Sequence, residues 1–449
     1  MQQAKTENII LTGPVISTFI RYAFPSILGL LAITTASIVD GIFVGHFVSA
    51  EGLAAINLLI PFFSLIFGVA LMLSIGGAIR GGHYLGQGQV HAASAIFSKC
   101  LISIFIIGIG FMSLSLLTDR WLLKLLGTPD ELMPLILPYF HIICVVLVVQ
   151  IFTMVLYYFI RVDNRQTLAT TALVAGAITN IVLDALFIIV FDMGLTGAAW
   201  ATAIAQTMQL FILSTFFLSQ QRQLYFTRQL GQWSELGRIA VNGLSEFINE
   251  ISGGLVILLL NWLLVLSQGV TGIAAFAVIN YLIFVSLMLY YGIADALHLL
   301  VSHNHGAGHA RRIQQFVNIA ILMVMILSLV LTLALLIWPQ WLTGLFLHEA
   351  SQQTRNISTH FIAIVWPLFL VNGLNVTISV YLTAMQKPLP SMLVAVSRGL
   401  LLPIGLLLLL SLWLPDQQFL LALPLAEWLT FILAWVLYRQ FKPIQSLQP

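Results

Sequence analysis

Gly52-Leu53-Ala54-Ala55 returns 220 residues later in the chain as Gly272-Ile273-Ala274-Ala275. Two unrelated landmarks repeat at the same offset: Gly86-Gln87-Gly88 as Gly306-Ala307-Gly308, and Trp121-Leu122 as Trp341-Leu342. A shared offset at three places indicates that the chain consists of two like halves. Membrane proteins built in this way commonly bind their cargo between the halves, so the pattern favours a secondary transporter.

The composition places both halves in lipid. Of the 449 residues, 60% are hydrophobic and 8% are charged, against roughly 25% charged in an ordinary soluble domain. The apolar runs are long enough for the ~20 residues that cross a bilayer and lack the alternation of barrel strands. Twelve such runs are present: 14–47, 53–80, 93–118, 132–160, 167–191, 195–219, 239–266, 271–301, 313–338, 358–385, 390–413 and 418–438.

The predicted fold class is therefore an all-α membrane protein with twelve transmembrane helices in two six-helix lobes. Residues 1–219 form the N-lobe, with helices 1–6, and residues 238–449 form the C-lobe, with helices 7–12. Residues 220–237 are polar and form a cytoplasmic linker. Because the repeats run in the same order and each contains an even number of spans, a pseudo-two-fold axis along the membrane normal is expected to relate the lobes.

The lysine and arginine residues fall mostly on one face if the spans alternate in direction. Only Arg120, Lys124 and Arg355 fall on the opposite face. This split predicts a multi-pass protein of the cytoplasmic (inner) membrane with both termini in the cytoplasm. The fifteen residues on the predicted cytoplasmic face are Lys5, Arg21, Arg80, Lys99, Arg161, Arg165, Arg222, Arg228, Arg238, Arg311, Arg312, Lys387, Arg398, Arg439 and Lys442.

Two carboxylates inside the spans of the first half are the main candidates for a functional site, since an acid in hydrocarbon is costly unless it is protonated, paired or facing water. Asp40 lies toward the outer end of span 1, and Asp184 lies in span 5 with Asn180 one helical turn before it. Together with Thr202, these residues offer the oxygen ligands that a hard cation prefers. They predict a site for a proton or Na⁺.

The repeat supports a functional role for Asp40 and Asp184, because the second half has no counterpart of either aspartate. Residues that only helped the helices to pack should have been kept in both halves. The position equivalent to Asp40 is Leu260, and the span equivalent to that of Asp184, span 11, is apolar near Leu407–Leu410. A purely structural pair, hydrogen-bonded between helices, remains the alternative interpretation.

Pro25 interrupts the backbone hydrogen bonds of span 1, the helix that carries Asp40. Either a fixed kink or a hinge that moves as Asp40 changes charge is compatible with this position.

Further acids lie in the second half and are weaker candidates for cargo binding or gating. Glu246 and Glu250 are one turn apart near the start of span 7, and Asp295 lies in span 8. The alternatives are solvation or pairing with Arg238 or Arg311.

Histidines are concentrated after span 8, at His298, His303, His305 and His309, where we expect a cytoplasmic loop rather than a metal site. The two cysteines, Cys100 and Cys144, lie in apolar runs and suggest no disulfide framework.

No ATP-binding or cofactor-binding motif is visible, so ion-driven transport without a cofactor is expected. The net charge of +2 comes with no basic, aromatic patch for nucleic acid.

The motifs resemble the multidrug and toxic compound extrusion (MATE) family over essentially the whole chain. The resemblance is carried by Pro25, by Asp40-Gly41-Ile42-Phe43-Val44-Gly45, by Asn180-Ile181-Val182-Leu183-Asp184 and by Gly194 to Thr202. It implies an antiporter that exchanges H⁺ or Na⁺ for organic, often cationic, compounds. Asp40, Asn180, Asp184 and Thr202 match the family's cation-coupling site, Tyr139 is a weaker match beside it, and Pro25 matches its bending proline.

One departure narrows the expectation. Span 10, from Trp366 to Met385, has no carboxylate, although one branch of the family carries an acid there. The chain therefore resembles the branch that couples through the first lobe.

A monomer in membrane lipid is expected, with small organic cations and drugs as cargo. A lipid-linked precursor flippase of the same superfamily is the alternative. A membrane-embedded enzyme, the third hypothesis, would need a nucleophile or metal motif, and none is visible.

Overall fold

The computed structural model describes residues 9–346, 352–414 and 417–446. Within these ranges the chain is helical, with short turns between helices and no β-strand. In the described part of the chain, eleven helices are long and apolar enough to cross a membrane, and one pair of helices bent by 54° passes the same test together. The protein is an all-α membrane protein, as predicted.

The membrane helices are numbered α1 to α12 in chain order, with the bent pair as α10. Their bounds are Val15–Val48, Ile60–Gly86, Val90–Leu117, Asp130–Val162, Gln166–Val190, Gly194–Leu218, Ser234–Gly269, Ala275–Gly306, Ala310–Ile337, Gln352–Val365 with Leu368–Ala384, Pro388–Trp413 and Gln418–Gln445. Shorter helices cover Ile9–Thr12, Ala50–Leu58, Asp119–Leu125 and Pro339–Phe346.

The second membrane helix begins at Ile60, later than the predicted start at residue 53. Ser49 has extended backbone and its Oγ accepts the N–H of Gly52 at 3.0 Å, so it caps a separate helix, Ala50–Leu58. Pro61 then occupies the first turn of α2, where its missing N–H leaves no helical bond unmade. The local capping chemistry, rather than hydropathy, sets this boundary.

The described residues form two compact units. The first is Phe24–Phe247, and the second contains the described residues up to Ala23 and those from Ile248 onward. The first unit thus contains α2 to α6 with most of α1, and the second contains α8 to α12 with most of α7. Lys5 and the two chain ends lie outside the described residues, as do the side chains of Ala54, Ile273 and Ala274.

The backbone repeats itself as the sequence does. Gly88 and Gly308 both have positive φ, at 75° and 73°, in the turns after α2 and α8. Asn164 and Gln386 have φ of 68° and 55° in the turns before α5 and α11. These left-handed positions are uncommon for residues other than glycine, so the shared turns support the internal duplication.

Small residues allow close helix packing in the first unit. Gly77 on α2 faces Cys100 of α3 and Phe159 of α4, and a Cβ at Gly77 would overlap the Cys100 sulfur. Phe97 packs on Phe159 with ring centroids 5.1 Å apart. Within lipid, where no hydrophobic effect drives helices together, such close contact is the main source of association.

The second unit has its own apolar core, formed by buried side chains from α7 to α12. Gly373 of α10 lies directly against the Tyr290 ring of α8. The Tyr290 hydroxyl accepts from Ser328 Oγ at 2.9 Å and donates to the Phe369 carbonyl at 3.3 Å. The largest members of this core are Leu260, Phe276, Phe361, Leu368, Phe369, Leu407 and Phe419.

Candidate cation-coupling site

Asp40 lies near the end of the α-helical part of α1. The π-helical turn Val44–Val48 follows it, one of the irregularities that often accompany functional sites. Oδ1 of Asp40 is buried and has no hydrogen-bond partner among the described residues, although the side chain as a whole is partly exposed. The Asp40 carboxylate is therefore accessible to an ion from outside the protein, and its Oδ1 lacks a hydrogen bond from the described residues.

Asp184 is placed in the same way at the end of an α-helical stretch. It is the last residue of Gln166–Asp184, and a second π-helical turn, Ala185–Val190, follows immediately. The side chain is 0% exposed, and neither carboxylate oxygen has a hydrogen-bond partner in the described part of the chain. An ionised carboxylate in this position is costly unless a proton or a cation accompanies it.

The structure brings the two aspartates together with Tyr139. The π-helical turns that follow Asp40 and Asp184 contact each other. The two carboxylates are close enough to interact electrostatically, and both act on the buried hydroxyl of Tyr139 on α4. Three helices of the first unit, α1, α4 and α5, thus contribute one polar group each to the same region.

Asn180 and Thr202 remain predicted members of this site. Asn180 lies one turn before Asp184 on α5, and Thr202 lies on α6, which packs along α5. Both side chains are partly exposed, and neither forms a side-chain hydrogen bond with another residue that the structure describes. Their oxygens are available to a ligand.

Two carboxylates with unsatisfied oxygens can hold a proton or a hard cation. In a low dielectric, two adjacent negative charges repel, and a first proton or a Na⁺ relieves that repulsion. Na⁺ would take carboxylate, amide and hydroxyl oxygens, which is the set that Asp40, Asp184, Asn180 and Thr202 offer. Among the described residues, no group of three or more His, Cys, Asp or Glu side chains is arranged to hold a metal ion.

Pro25 lies in the same helix as Asp40, and α1 remains helical through it. The hydroxyl of Thr170 on α5 donates to the Pro25 carbonyl at 3.2 Å. The neighbouring Ser26 is fully buried and accepts hydrogen bonds from α4 and α5. The segment after the proline is thus held within the first unit by α4 and α5.

The weaker candidates are divided between the two units. Glu246 is 5% exposed on α7 in the first unit, so the alternative that its side chain is solvated is wrong. Glu250 of the second unit is partly exposed. Arg238 pairs with Glu235 at 2.8 Å. Asp295 lies 3.2 Å from His298 rather than pairing with Arg311.

The histidine segment is mostly helical, which corrects the predicted loop. His298, His303 and His305 lie within α8, which continues to Gly306, and only His309 follows its end. His303 Nδ1 lies 3.0 Å from the Leu299 carbonyl one turn earlier. Polar residues lengthen this helix because their side chains bond to the helix itself and to neighbours.

Sequence analysis overlooked Glu427 on α12. It forms an ion pair with Arg398 of α11, with Nε and Oε1 3.2 Å apart, inside the second unit. The prediction that Arg398 lies on the cytoplasmic face is wrong, because Arg398 lies in the middle of α11, within the π-helical turn Ser397–Leu401. Two residues of opposite charge inside apolar spans were the signal that could have revealed this pair.

The turn between α4 and α5 carries one more buried acid, Asp163, outside the spans. Asp163 accepts hydrogen bonds from the backbone N–H groups of Gln223 and Leu224, at 2.8 and 3.1 Å. Burial raises the pKa of Asp163 to about 7, although these bonds and the nearby Arg165 and Arg222 oppose the shift. The linker is therefore fixed to the first unit by a titratable group.

Comparison with known families agrees with this architecture. The MatE family model matches residues 25–186 and 247–408, which together cover more than half of the chain. The chain therefore belongs to the MATE family. The two matched segments start 222 residues apart, in agreement with the internal repeat.

Individual relatives are distant but cover most of the chain. The FAD transporter of Shewanella oneidensis is 23% identical over 98% of both chains, and the multidrug export protein MepA of Staphylococcus saprophyticus is 21% identical over 85% of this chain and 84% of its own. A solved structure described as the outward-facing conformation of a multidrug resistance MATE family transporter of the MOP superfamily superposes with a TM-score of 0.91 over 100% of both chains, at 20% identity. These matches support the two-lobe transporter fold.

Proposed function

We propose that the protein is a multidrug efflux antiporter that couples the inward flow of H⁺ or Na⁺ to the export of organic, often cationic, compounds by alternating access. The observation that carries this proposal is the Asp40 and Asp184 pair. Three of its four carboxylate oxygens are buried without a hydrogen-bond partner in the described chain. A coupling ion would satisfy them.

Coupling follows from the free-energy cost of charge in this region. With no ion bound, two carboxylates share a low-dielectric site and repel each other. A proton or Na⁺ lowers that cost, and its arrival changes the charge next to the π-helical turns of α1 and α5. Tyr139 would hydrogen-bond to one carboxylate, while Asn180 and Thr202 would complete the oxygen ligands of a bound ion.

Export requires that cargo and coupling ion oppose each other. A cationic compound and a coupling cation compete for the same negative charge, directly or through a change in the shape of α1, so each must weaken the binding of the other. Glu246, Glu250 and Asp295 would add negative charge for cargo or for gating. Flat aromatic cations also gain from apolar and aromatic surface, which permits broad selectivity.

The family supports transport of this class. Relatives named multidrug export protein MepA cover most of the chain. We extend their activity to this protein, with both termini in the cytoplasm, a location in the cytoplasmic membrane and a monomer as the working unit.

Transport in vesicles tests the proposal. Purified protein is reconstituted into liposomes, and uptake of the cationic dye rhodamine 6G is followed under an imposed pH gradient and, separately, under an imposed Na⁺ gradient. One of the two gradients should drive uptake in the wild type, and Asp184→Asn should abolish it. Asp192→Asn is the matched control, since Asp192 is exposed and has a left-handed backbone (φ 50°) that asparagine also adopts.

Two results would contradict the proposal. Uptake that neither gradient accelerates would exclude cation-coupled antiport and favour the flippase alternative. Normal gradient-driven uptake by Asp40→Asn and Asp184→Asn would remove the assigned coupling site.

A further inference from the structure

The linker, residues 220–237, lies along the first turns of α3 and is bonded to them. Ser98 Oγ accepts the N–H of Thr227 at 2.9 Å, and Lys99 Nζ donates to the Gln232 carbonyl at 2.9 Å. Both side chains on α3 are buried. The backbone of the linker is therefore held in one place, and the side chains that point away from α3 have defined positions.

The length of α3 sets the level of the linker in the membrane. Residues 100–117 of this helix contain no charged side chain and are about 27 Å long at about 1.5 Å per residue. That length is close to the ~30 Å of the hydrocarbon core. The turns before residue 100 carry His91 and Lys99 and extend beyond the hydrocarbon. Because the linker is bonded to those turns, it lies at the level of the lipid headgroups.

Large aromatic side chains of the linker are exposed at this level. Phe226 is 53% exposed and Trp233 is 50% exposed. Tyr225 is also exposed, and its N–H donates to Ser94 Oγ of α3 at 3.3 Å. Tyrosine and tryptophan are enriched at the headgroup level of membranes, where a ring can contact both apolar and polar surroundings. The three rings therefore favour contact with lipid.

The one acid of this segment is already paired. Glu235, at the start of α7, is the only acidic residue from 220 to 238. Its carboxylate lies 3.1 Å from Arg80 of α2 and 2.8 Å from Arg238. Glu235 therefore does not neutralise the arginines of the linker itself.

Arg222 and Arg228 leave the linker with a positive charge that the described residues do not balance. Arg228 is exposed and Arg222 is half-buried, and neither side chain forms a hydrogen bond or ion pair with another described residue. Asp163 acts on Arg222 electrostatically, but Asp163 is buried and accepts N–H groups of the linker backbone. Guanidinium groups bind phosphate through parallel hydrogen bonds, and lipid phosphates are present at this level.

We propose that the linker binds the headgroups of anionic phospholipids through a surface formed by Arg222, Tyr225, Phe226, Arg228 and Trp233, the linker surface. The arginines bind the phosphate, and the rings contact the glycerol backbone and the upper acyl chains. The level of the linker surface beside α3 favours a lipid over a soluble acidic partner. This inference adds a ligand outside the proposed function, and the binding does not require transport.

Photocrosslinking of the full-length protein in nanodiscs tests the proposal. Phe226 is replaced by p-benzoylphenylalanine, and the nanodiscs contain equal amounts of dioleoylphosphatidylglycerol, which is anionic, and dioleoylphosphatidylcholine, which has no net charge. Mass spectrometry then counts the crosslinked lipids. We expect phosphatidylglycerol to exceed phosphatidylcholine about fivefold, because one basic residue near an anionic lipid attracts it by about this factor.

Removal of the arginines should remove this preference. Arg222→Gln together with Arg228→Gln should bring the ratio of the two crosslinked lipids close to one. Arg228→Gln alone should also lower the ratio, and this variant should fold normally because the Arg228 side chain is exposed and bonds to no described residue.

Three controls accompany these variants. Arg238→Gln removes a positive charge from the same segment, but one that is paired with Glu235, so the ratio should stay as in the wild type. The same photoreactive residue in place of Phe211, which is exposed within the apolar part of α6, should crosslink the two lipids equally. Asp184→Asn should keep the preference, which separates lipid binding from the coupling site.

The proposal would be overturned by any of three results. Crosslinking from position 226 that captures no lipid would place the linker surface in water. A ratio near one with both arginines present, or an unchanged ratio without them, would exclude recognition of the headgroup. A decrease in Arg238→Gln equal to that in Arg228→Gln would show a response to net charge rather than to the linker surface.

Discussion

Arg161 donates from Nη2 to Ser26 Oγ at 2.9 Å and so connects the end of α4 to the residue that follows Pro25 in α1. Gln166 Nε2 donates to the same oxygen at 3.2 Å, and Gln166 Oε1 accepts from Arg161 Nε at 2.8 Å. The Arg161 guanidinium also lies 5.2 Å from the Tyr157 ring centroid. The boundary between the compact units, at Ala23/Phe24, falls just before this cluster. The part of α1 that leads to Asp40 is therefore held at Ser26 by hydrogen bonds from α4 and α5.

Removal of the Ser26 hydroxyl, which accepts from both Arg161 and Gln166, tests how much these hydrogen bonds stabilise the protein. Ser26→Ala leaves two buried donors without their partner, so we expect a loss of about 1–3 kcal/mol in the free energy of unfolding. Thermal unfolding of the purified protein measures the effect. Ser37→Ala is the matched control, because Ser37 is exposed on the same helix and bonds only to the carbonyl one turn before it. Equal unfolding temperatures for the two variants would show that the cluster is not stabilising.

Replacement of the proline tests whether α1 moves. Pro25→Ala restores a backbone N–H and favours a straight helix, while the Thr170 hydroxyl can still donate to the carbonyl of residue 25. We expect transport of rhodamine 6G to slow more than its binding weakens, measured in liposomes and in detergent. Unchanged transport and unchanged binding together would establish Pro25 as a fixed kink.

Much of the fold could be predicted because lipid imposes strong constraints. Backbone groups in hydrocarbon must bond internally, so apolar length alone predicted helices at these positions. Capping is a local effect that hydropathy ignores, which is why Ser49 moved the start of α2 to Ile60. Hydropathy also fails at the end of α8. The polar composition around His298, His303 and His305 predicts a loop, but the helix continues through these residues to Gly306.

The site was only partly predictable. Asp40 and Asp184 stand out in apolar spans, and the structure places them close together. Arg398 and Glu427 are equally visible in the sequence, but the charge pattern places Arg398 on the cytoplasmic face, and Glu427 is not among the predicted site residues. Their pairing depends on which helices pack together in the second unit, which spacing along one helix cannot reveal.

The contact between α5 and α6 depends on a missing side chain. A Cβ at Gly176 would overlap the amide of Gln209, which is itself buried. Gly176→Ala should therefore destabilise the protein by about 1–3 kcal/mol through overpacking. Gln209→Ala in the same chain should recover most of that loss. Gly110→Ala serves as a control, because Gly110 is exposed and its Cβ would contact nothing within 4 Å. A destabilisation that Gln209→Ala does not relieve would exclude this overlap as the cause.

Asp163, the acid that holds the linker through Gln223 and Leu224, should make stability depend on pH. The pKa of Asp163 is raised to about 7 in the folded protein, mainly by burial. A raised pKa means that the folded state binds the proton more tightly, so this contribution is complete below the ordinary aspartate pKa and is lost as pH rises through about 7.

We therefore expect the unfolding temperature of the wild type to fall between about pH 5 and about pH 8, and to fall less in Asp163→Asn. Asp192→Asn, on an exposed residue, should keep the wild-type slope. Identical slopes in Asp163→Asn and the wild type would show that Asp163 does not titrate in this range.

The central claim is that Asp40 and Asp184 form one site in which a coupling ion opposes cationic cargo. The most direct test is the affinity of the purified protein for rhodamine 6G, measured between about pH 5 and about pH 8 and at increasing Na⁺. The account predicts that lower pH or added Na⁺ weakens binding in the wild type, and that Asp40→Asn and Asp184→Asn flatten this dependence. A wild-type affinity that stays constant across both titrations would contradict it.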